Sequence, residues 1–150
     1  MVVTHKVQGL AKLERDLQAL GKHTTAKGVA RRVLKKAGEP IAQKAVGLAP
    51  DDPATGGDDL KASIGVSTKL NKSQKRAVKR GGKNQVEVYV GTADPAGVQQ
   101  EFGNVNHGPQ SFMRPAWAAT KMTALKIISE DFAAEILKTA KRLAKRAAKG

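Results

Sequence analysis

A carboxylate and an imidazole stand six residues apart in the segment EFGNVNHGPQSFMRPAW, residues 101–117. Glu101 and His107 are residue types that act as general acid and general base in hydrolases and nucleases. Such chemistry needs a fixed geometry between the two groups, and the Asn and Gly residues between them predict neither a helix nor a strand. We therefore interpret His107 as a polar loop residue. Of the three functions considered in this section, a hydrolase is the one that the sequence supports least.

The sequence offers no supporting pattern for metal-ion or phosphate chemistry. Its histidines lack the spacing of three or four that places two ligands on one helix face: His5, His23 and His107. The acidic pairs at 51–52 and 58–59 are flanked by Pro and Gly, which favours a solvated turn over a cation site. The glycine pairs at 56–57 and 81–82 lack the spacing and the following helix of a phosphate-binding loop. We expect no enzyme, no catalytic or metal-binding residue and no cofactor.

Charge is the strongest signal in the composition, because 27 Lys and Arg against 13 Asp and Glu give a formal net charge of +14. Two stretches carry cations and no acid, and we name them the arm (residues 67–85) and the tail (residues 138–150). The basic residues of the arm are Lys69, Lys72, Lys75, Arg76, Lys79, Arg80 and Lys83, and those of the tail are Lys138, Lys141, Arg142, Lys145, Arg146 and Lys149. This charge favours an anionic partner, either nucleic acid or acidic protein. Neither stretch has the interleaved aromatics of single-strand binders.

The length of 150 residues predicts one domain, and the absence of cysteine fits a reducing compartment. We expect no signal sequence and no membrane segment, because no apolar run is long enough.

Helical periodicity predicts the elements that must position these residues. A short helix between Gly9 and Gly21 carries one apolar stripe: Leu10, Leu13, Leu17 and Leu20. A longer helix carries a stripe from Val29 to Leu48, and we expect Pro40 to kink or split it. A brief helix opens at Pro95, and the last helix has Pro115 in its first turn and a stripe at spacings of three and four that continues into the tail.

A period of two predicts two strands, over residues 60–67 and 86–90, that pair antiparallel. The arm connects them and is far longer than a hairpin needs. We therefore predict that the arm is a long basic β-hairpin extension that projects from the sheet.

An ordered series of short motifs runs through the chain. It comprises Gly9 with Leu10, Leu13 and Leu17; Ala49 and Pro50; Thr55 and Gly56; Leu60 with Ser63 and Ile64; Val90 and Gly91; Glu101, Phe102 and Gly103; and Phe112 with Arg114, Pro115 and Ala116. This order resembles the HK97 gene 10-like tail-component family of long-tailed bacteriophages, which are head–tail joining or tail-completion proteins. The resemblance covers residues 9–135. It departs from the family pattern in a longer segment before Leu60 and in Ser111, where proline is common.

The resemblance implies an α+β fold with a small antiparallel β-sheet packed against long α-helices. It also implies a homo-oligomeric, hexameric ring at the virion's head–tail junction, assembled in the host cytoplasm. Such a ring would bind the head connector on one side and the tail terminator or tail tube on the other, around the DNA channel. We expect the subunit or partner interface to include Glu101, Phe102, Gly103, Phe112, Arg114, Pro115 and Trp117.

Within this interface, the three aromatic side chains are interpreted as anchors that fix the turn to the last helix, and Gly103 and Gly108 as residues that permit tight turns. Glu101 and Arg114 pair either within one subunit or across to the next. The leading hypothesis is thus a structural virion protein. The alternative is a non-sequence-specific nucleic-acid-binding protein that uses the arm and the tail, which would bind DNA with a steep dependence on salt.

Overall fold

The computed structural model describes residues 23–50, 59–78, 82 and 85–150, together with the isolated positions 11, 15 and 18. Its elements are, in chain order, α1 (His23–Leu48), α2 (Asp59–Ser63), β1 (Ile64–Ser67), α3 (Lys72–Ala77), β2 (Tyr89–Thr92), α4 (Pro95–Phe102) and α5 (Met113–Lys149). The leucines of the predicted first helix lie outside the described residues, as do Asp51, Asp52 and Asp58 of the predicted solvated turns. The α+β class is confirmed, with long helices against a small sheet.

The two long helices form the body of the fold by packing antiparallel along their apolar stripes. Near the start of α1, Val29 and Val33 contact Phe132 and Ile136 of α5. Near its end, two small side chains of α1 and one directly after it lie against the beginning of α5, together with the sheet: Ala42, Ala45 and Ala49. Alanines allow the helix axes to come close, which explains how a chain with few aromatic residues still buries a continuous core.

Pro40 lies inside α1, which is continuous, so of the two predicted outcomes, a kink or a split, the split was wrong. A proline in this position removes one hydrogen bond to the preceding turn and costs about 3 kcal/mol in an isolated helix. The buried residues Ala37 and Ile41 flank Pro40 and belong to the same core cluster with Ala124 of α5. The helix therefore continues because tertiary packing on both sides of the proline offsets its local cost.

The sheet consists of β1 and β2, which pair antiparallel with Ile64 opposite Thr92 and Ser67 opposite Tyr89. It lies against α1 at Gly38, where an added Cβ would come within 2.9 Å of Val66 Cγ1. A glycine at this position thus permits the close approach of helix and sheet.

The first predicted strand was right only in its second half, because residues 59–63 form the helical turn α2. Ser63 Oγ donates to the carbonyl of Leu60 (2.7 Å) and also contacts Thr92 Oγ1, so the turn is tied to the end of β2. Leu60 packs against the main core cluster. The alternation of apolar residues did not distinguish this buried turn from a strand.

The prediction that the arm is a long β-hairpin was wrong for the described part of the arm. Residues 72–77 form α3, which begins with a capping box between Asn71 and Gln74. The side chain of Gln74 also donates to the carbonyl of Thr92 at 3.0 Å, which holds α3 at the end of β2. Lys79, Arg80 and Lys83 lie outside the described residues. The tail, by contrast, is helical as predicted, since α5 continues to Lys149. Across the described ranges, no helix combines the length and apolarity that a membrane span requires.

A carboxylate-capped turn as candidate interaction site

The helix α4 positions the carboxylate of Glu101. It begins as the sequence predicts, with Asp94 Oδ1 accepting from the backbone N–H of Ala96 (2.9 Å) and Pro95 as its first residue. It ends at Gly103, whose φ of 78° lies in the left-handed region. The backbone N–H of Gly103 donates to the carbonyl of Gln99 at 2.7 Å. Glu101 thus lies in the last turn of a helix with both ends fixed, and its exposure is only 5%.

Glu101 caps the N-terminus of α5 with its side chain. Its Oε2 accepts from the backbone N–H groups of Phe112 (2.8 Å) and Met113 (2.9 Å), and its Oε1 accepts from that of Arg114 (3.2 Å). Pro115 follows and has no N–H, and Ala116 makes the first bond of the helix, to the carbonyl of Phe112. The backbone N–H groups that a helix start leaves unpaired are therefore accounted for, because the carboxylate accepts from three of them and the fourth position is a proline without an N–H.

The surroundings of Glu101 act on its pKa in opposite directions. Burial raises the pKa of this carboxyl, whereas the N–H groups of Met113 and Phe112, the Arg114 side chain and the Arg114 N–H all lower it. The hydrogen bonds prevail, so the pKa of Glu101 is held below its ordinary value of 4.5. The group is a permanent anion at neutral pH, which suits a structural cap and not a proton-transfer residue.

Arg114 completes this arrangement within the same chain. Its Nε donates to Glu101 Oε1 at 2.9 Å, and its Nη2 donates to the carbonyl of Glu101 (2.9 Å) and to Ser111 Oγ (2.8 Å). The guanidinium carbon lies 5.2 Å from the centre of the Phe102 ring, within the range of a cation–π contact. Of the two pairings that the sequence leaves open, the structure shows the one within a single subunit.

The three aromatic side chains of the turn have different surroundings. Phe112 is 1% exposed and lies in the core with Ala45 and Ala116, so it anchors the turn as predicted. Phe102 and Trp117, however, are 66% and 55% exposed. The prediction that all three anchor the turn was thus wrong for these two, because the core beneath the turn is filled by Phe112 and small residues.

The loop after α4 is held by its own polar groups. Asn104 Oδ1 accepts from the backbone N–H groups of Asn106 (2.8 Å) and His107 (3.1 Å), and His107 Nδ1 lies 2.9 Å from the carbonyl of Gly108. Glu101 and His107 thus have separate sets of partners, so the structure provides no support for an acid–base pair.

Only one of the two glycines assigned to tight turns has that role here. A Cβ at Gly103 would lie 2.9 Å from Pro109 N and 3.0 Å from the carbonyl oxygen of His107, and its φ is left-handed. A Cβ at Gly108 would meet no atom within 4 Å. The prediction for Gly108 is therefore not supported by the backbone.

The basic residues lie apart from the turn in sequence, and all those described are exposed. In the arm these are Lys69, Lys72, Lys75 and Arg76. In the tail, six exposed cations recur at spacings of three and four along α5 and so share one helix face: Lys138, Lys141, Arg142, Lys145, Arg146 and Lys149. Among the residues that the structure describes, an acid lies near only the first of the six, since Lys138 Nζ is 3.9 Å from Glu135 Oε1.

Sequence reasoning missed an apolar groove beside the turn, with a cavity volume of about 760 Å³. Its wall includes Leu34 and Ile41 of α1, Val88 before β2, and Trp117, Met122 and Leu125 of α5. Met122 and Leu125 belong to the predicted stripe of the last helix. Which residues form the groove depends on how α1, β2 and α5 pack together, and no local pattern in the sequence carries that information.

Comparison with known proteins gives one family. Residues 11–103, more than half of the chain, match the model of the HK97-gp10-like bacteriophage tail-component family. The match includes Glu101, Phe102 and Gly103 and ends before the second half of the turn. No curated protein and no solved structure matches the chain. The extent of the family match shows that the chain belongs to the HK97-gp10-like family of bacteriophage tail components and is thus a structural phage tail protein of the virion.

Proposed function

We propose that this protein assembles as a ring at the neck of the phage particle and joins the head connector to the tail tube around the DNA channel. Family membership supports a tail component that interacts with other virion proteins. The ring and its place at the head–tail junction are the proposal. A hexamer of identical copies satisfies the closed cyclic symmetry common to homo-oligomers.

The observation that carries the proposal is the orientation of Phe102 and Trp117 away from the core. Glu101 and Arg114 fix the turn through hydrogen bonds from both sides, while Phe112 anchors it below. Such a frame holds Phe102 rigidly at the surface. Large aromatic side chains on a rigid support bury much area at little entropic cost, which is the usual composition of protein interfaces.

Further apolar side chains surround Phe102 in sequence and are also exposed. Val98 lies one turn before it on α4, and Val105 lies in the following loop and is fully exposed. Clustered apolar residues of this kind mark binding surfaces, whereas single exposed ones are ordinary. The turn therefore supports a role as a contact surface for a neighbouring subunit or a connector protein, and Glu101 and Arg114 act by supporting it.

The proposal is tested by F102S and W117S in the phage genome. We expect both variants to fold, because the side chains are exposed, and to yield separate heads and tails in electron micrographs of lysates. The matched control is L137S, which replaces another exposed apolar side chain on α5 outside the turn. Normal numbers of joined particles with F102S and W117S would refute the assigned surface. Particles that lack this chain at the neck would refute the function itself.

A second candidate function rests on the cationic face of the tail. Six cations share one side of α5 over about 16 Å of helix, and no acid follows Glu135 in the chain. Such a face binds phosphate without sequence specificity. A DNA contact would show strong binding at low salt with a steep salt dependence. Binding that is weak at low salt, or that is unchanged when the tail cations are replaced by glutamine, would contradict it.

A further inference from the structure

A stripe of charged side chains runs along the second half of α5 and changes sign after Glu135. Its first two members are acids, and each pairs with a cation of α1. Asp131 Oδ2 lies 2.6 Å from Lys36 Nζ. Glu135 Oε2 lies 3.0 Å from Arg32 Nη2. From Lys138 onward every charged residue of the helix is basic. The acids of α5 are thus paired with α1, so the positive charge of the tail is in excess.

The six cations of the tail form two rows along α5, because each row repeats at a spacing of four. They are Lys138, Arg142 and Arg146 in one row, and Lys141, Lys145 and Lys149 in the other. Both rows lie within about 16 Å of continuous helix. All six side chains are exposed, so the two rows are open to a ligand along their whole length.

The rest of the exposed tail favours nucleic acid over an acidic protein as the ligand. Its other exposed residues are four alanines and the last glycine: Ala140, Ala144, Ala147, Ala148 and Gly150. Protein interfaces take most of their affinity from large packed anchors, and lysine is depleted in them. The tail has no exposed large apolar side chain, and four of its six cations are lysines. Binding through charge alone is the way in which proteins hold phosphate backbones.

The tail also favours double-stranded over single-stranded nucleic acid. No aromatic residue follows Phe132 in the chain, so the tail has no ring on which an unpaired base could stack. Without stacking, affinity depends on how many phosphates the ligand presents to the rows. A DNA duplex is stiff and presents roughly ten phosphates over about 16 Å. A single strand presents about half as many and loses conformational freedom when it follows the rows.

We propose that the tail binds the phosphate backbone of double-stranded DNA, in preference to single-stranded DNA and without regard to base sequence. The inference rests on the second candidate function above and names its ligand. The exposed tail lacks the Asn, Gln, Asp and Glu side chains that recognise adenine and cytosine in the grooves. Contacts with phosphate therefore set the affinity.

Fluorescence anisotropy of the full-length protein tests the proposal, with a short labelled DNA duplex and with each of its single strands. We expect the duplex to bind several-fold more tightly at low salt, and two duplexes of unrelated sequence to bind equally. Six phosphate contacts predict a slope of about 5 for log Kd against log salt concentration.

The triple variant K141Q/K145Q/R146Q should lower this slope by about 3, because it removes three of the six contacts. Glutamine has nearly the helix propensity of lysine and arginine, and circular dichroism checks that the fold is kept. The matched control is R31Q/K35Q/K44Q, which removes two lysines and one arginine from exposed positions of α1 and should leave the slope unchanged.

Equal affinities for the duplex and its single strands would overturn the proposal, while a DNA contact and the neck ring would still stand. Equal losses in the two triple variants would also overturn it, since net charge and not the tail would then bind DNA. Tighter binding of poly-glutamate than of the duplex would assign the tail to an acidic protein instead. If neither form of DNA binds at low salt, the second candidate function fails together with the proposal.

Discussion

Glu101 acts on a helix that begins twelve residues further along the chain, and this remote cap defines the site at the residue scale. A carboxylate at a helix start normally comes from the residue just before it. Here Phe112 occupies that position and makes no side-chain cap. Glu101 of the Glu-Phe-Gly motif and Arg114 of the Arg-Pro-Ala motif thus share one structural role, which is to join α4 to α5.

We expect E101Q to destabilise the fold by about 2 kcal/mol, because the amide loses the charge and offers only one acceptor oxygen to the three backbone N–H groups. Urea denaturation followed by circular dichroism measures the loss. The control is E130Q, whose acid pairs with Lys126 at 3.9 Å on the surface and should change stability by less than about 0.5 kcal/mol. Equal effects for the two variants would contradict the capping role.

The same carboxylate gives a pH dependence of defined sign. Its folded-state pKa lies below the ordinary 4.5, so the unfolded chain binds the proton first as the pH falls. The stabilisation by Glu101 is fully present above the unfolded-state pKa and is lost as the pH falls through the folded-state pKa. Denaturation curves between pH 7 and pH 3 should therefore show an acid loss of stability that is smaller in E101Q than in the unaltered protein, because the variant lacks the carboxyl that titrates.

Gly103 allows a second prediction at this scale. Its φ of 78° and the 2.9 Å approach to Pro109 N leave no room for a side chain, so G103A should cost about 1–3 kcal/mol. G108A is the matched control, since a Cβ there meets nothing and its effect should be under about 1 kcal/mol. Thermal unfolding of both variants measures the difference. A neutral G103A would show that the loop can rearrange without cost.

At the scale of elements, the packing of the sheet on α1 depends on the absence of a side chain at Gly38. Gly47 lies on the same helix, is exposed and has free space around it. G47A should stabilise the protein by about 1 kcal/mol through helix propensity. G38A should destabilise it, because the new Cβ would meet the stiff side chains of Val66 and Val90 at 2.9 and 3.1 Å. Chemical denaturation compares the two, and a gain in both would show that helix and sheet are not in firm contact.

Elements that form through local interactions could be predicted from the sequence, whereas features that depend on contacts with distant parts of the chain could not. The long helices could be predicted, because their stripes at Val29–Ile41 and after Met122 are local patterns. The continuity of α1 through Pro40 could not, since it depends on α5. The turn α2 was missed for the same reason, as Ser63 is fixed by Thr92 on another element. In the site, the motif residues were found, but their roles depend on contacts across the loop.

At the scale of the whole molecule, the end of α5 carries positive charge but does not pack on the core. The last side chain that packs on the core is Leu143, and residues 144–150 are exposed. Deletion of residues 144–150 should change the free energy of unfolding by less than about 1 kcal/mol. If the tail contacts DNA, the same deletion removes three cations and should lower the salt slope of DNA binding by up to about 3. A large loss of stability would instead assign the tail to the core.

Because Glu101 caps a helix that begins beyond residue 103, the protein cannot be divided where the family match ends. A fragment ending at residue 103 would retain the acid but lose the helix start that it serves. It would also leave Val29, Val33, Ala37 and Ile41 without the helix that shields them from water. The recognisable portion of this sequence is therefore not an autonomous folding unit, and expression trials aimed at that portion alone should yield aggregated chains.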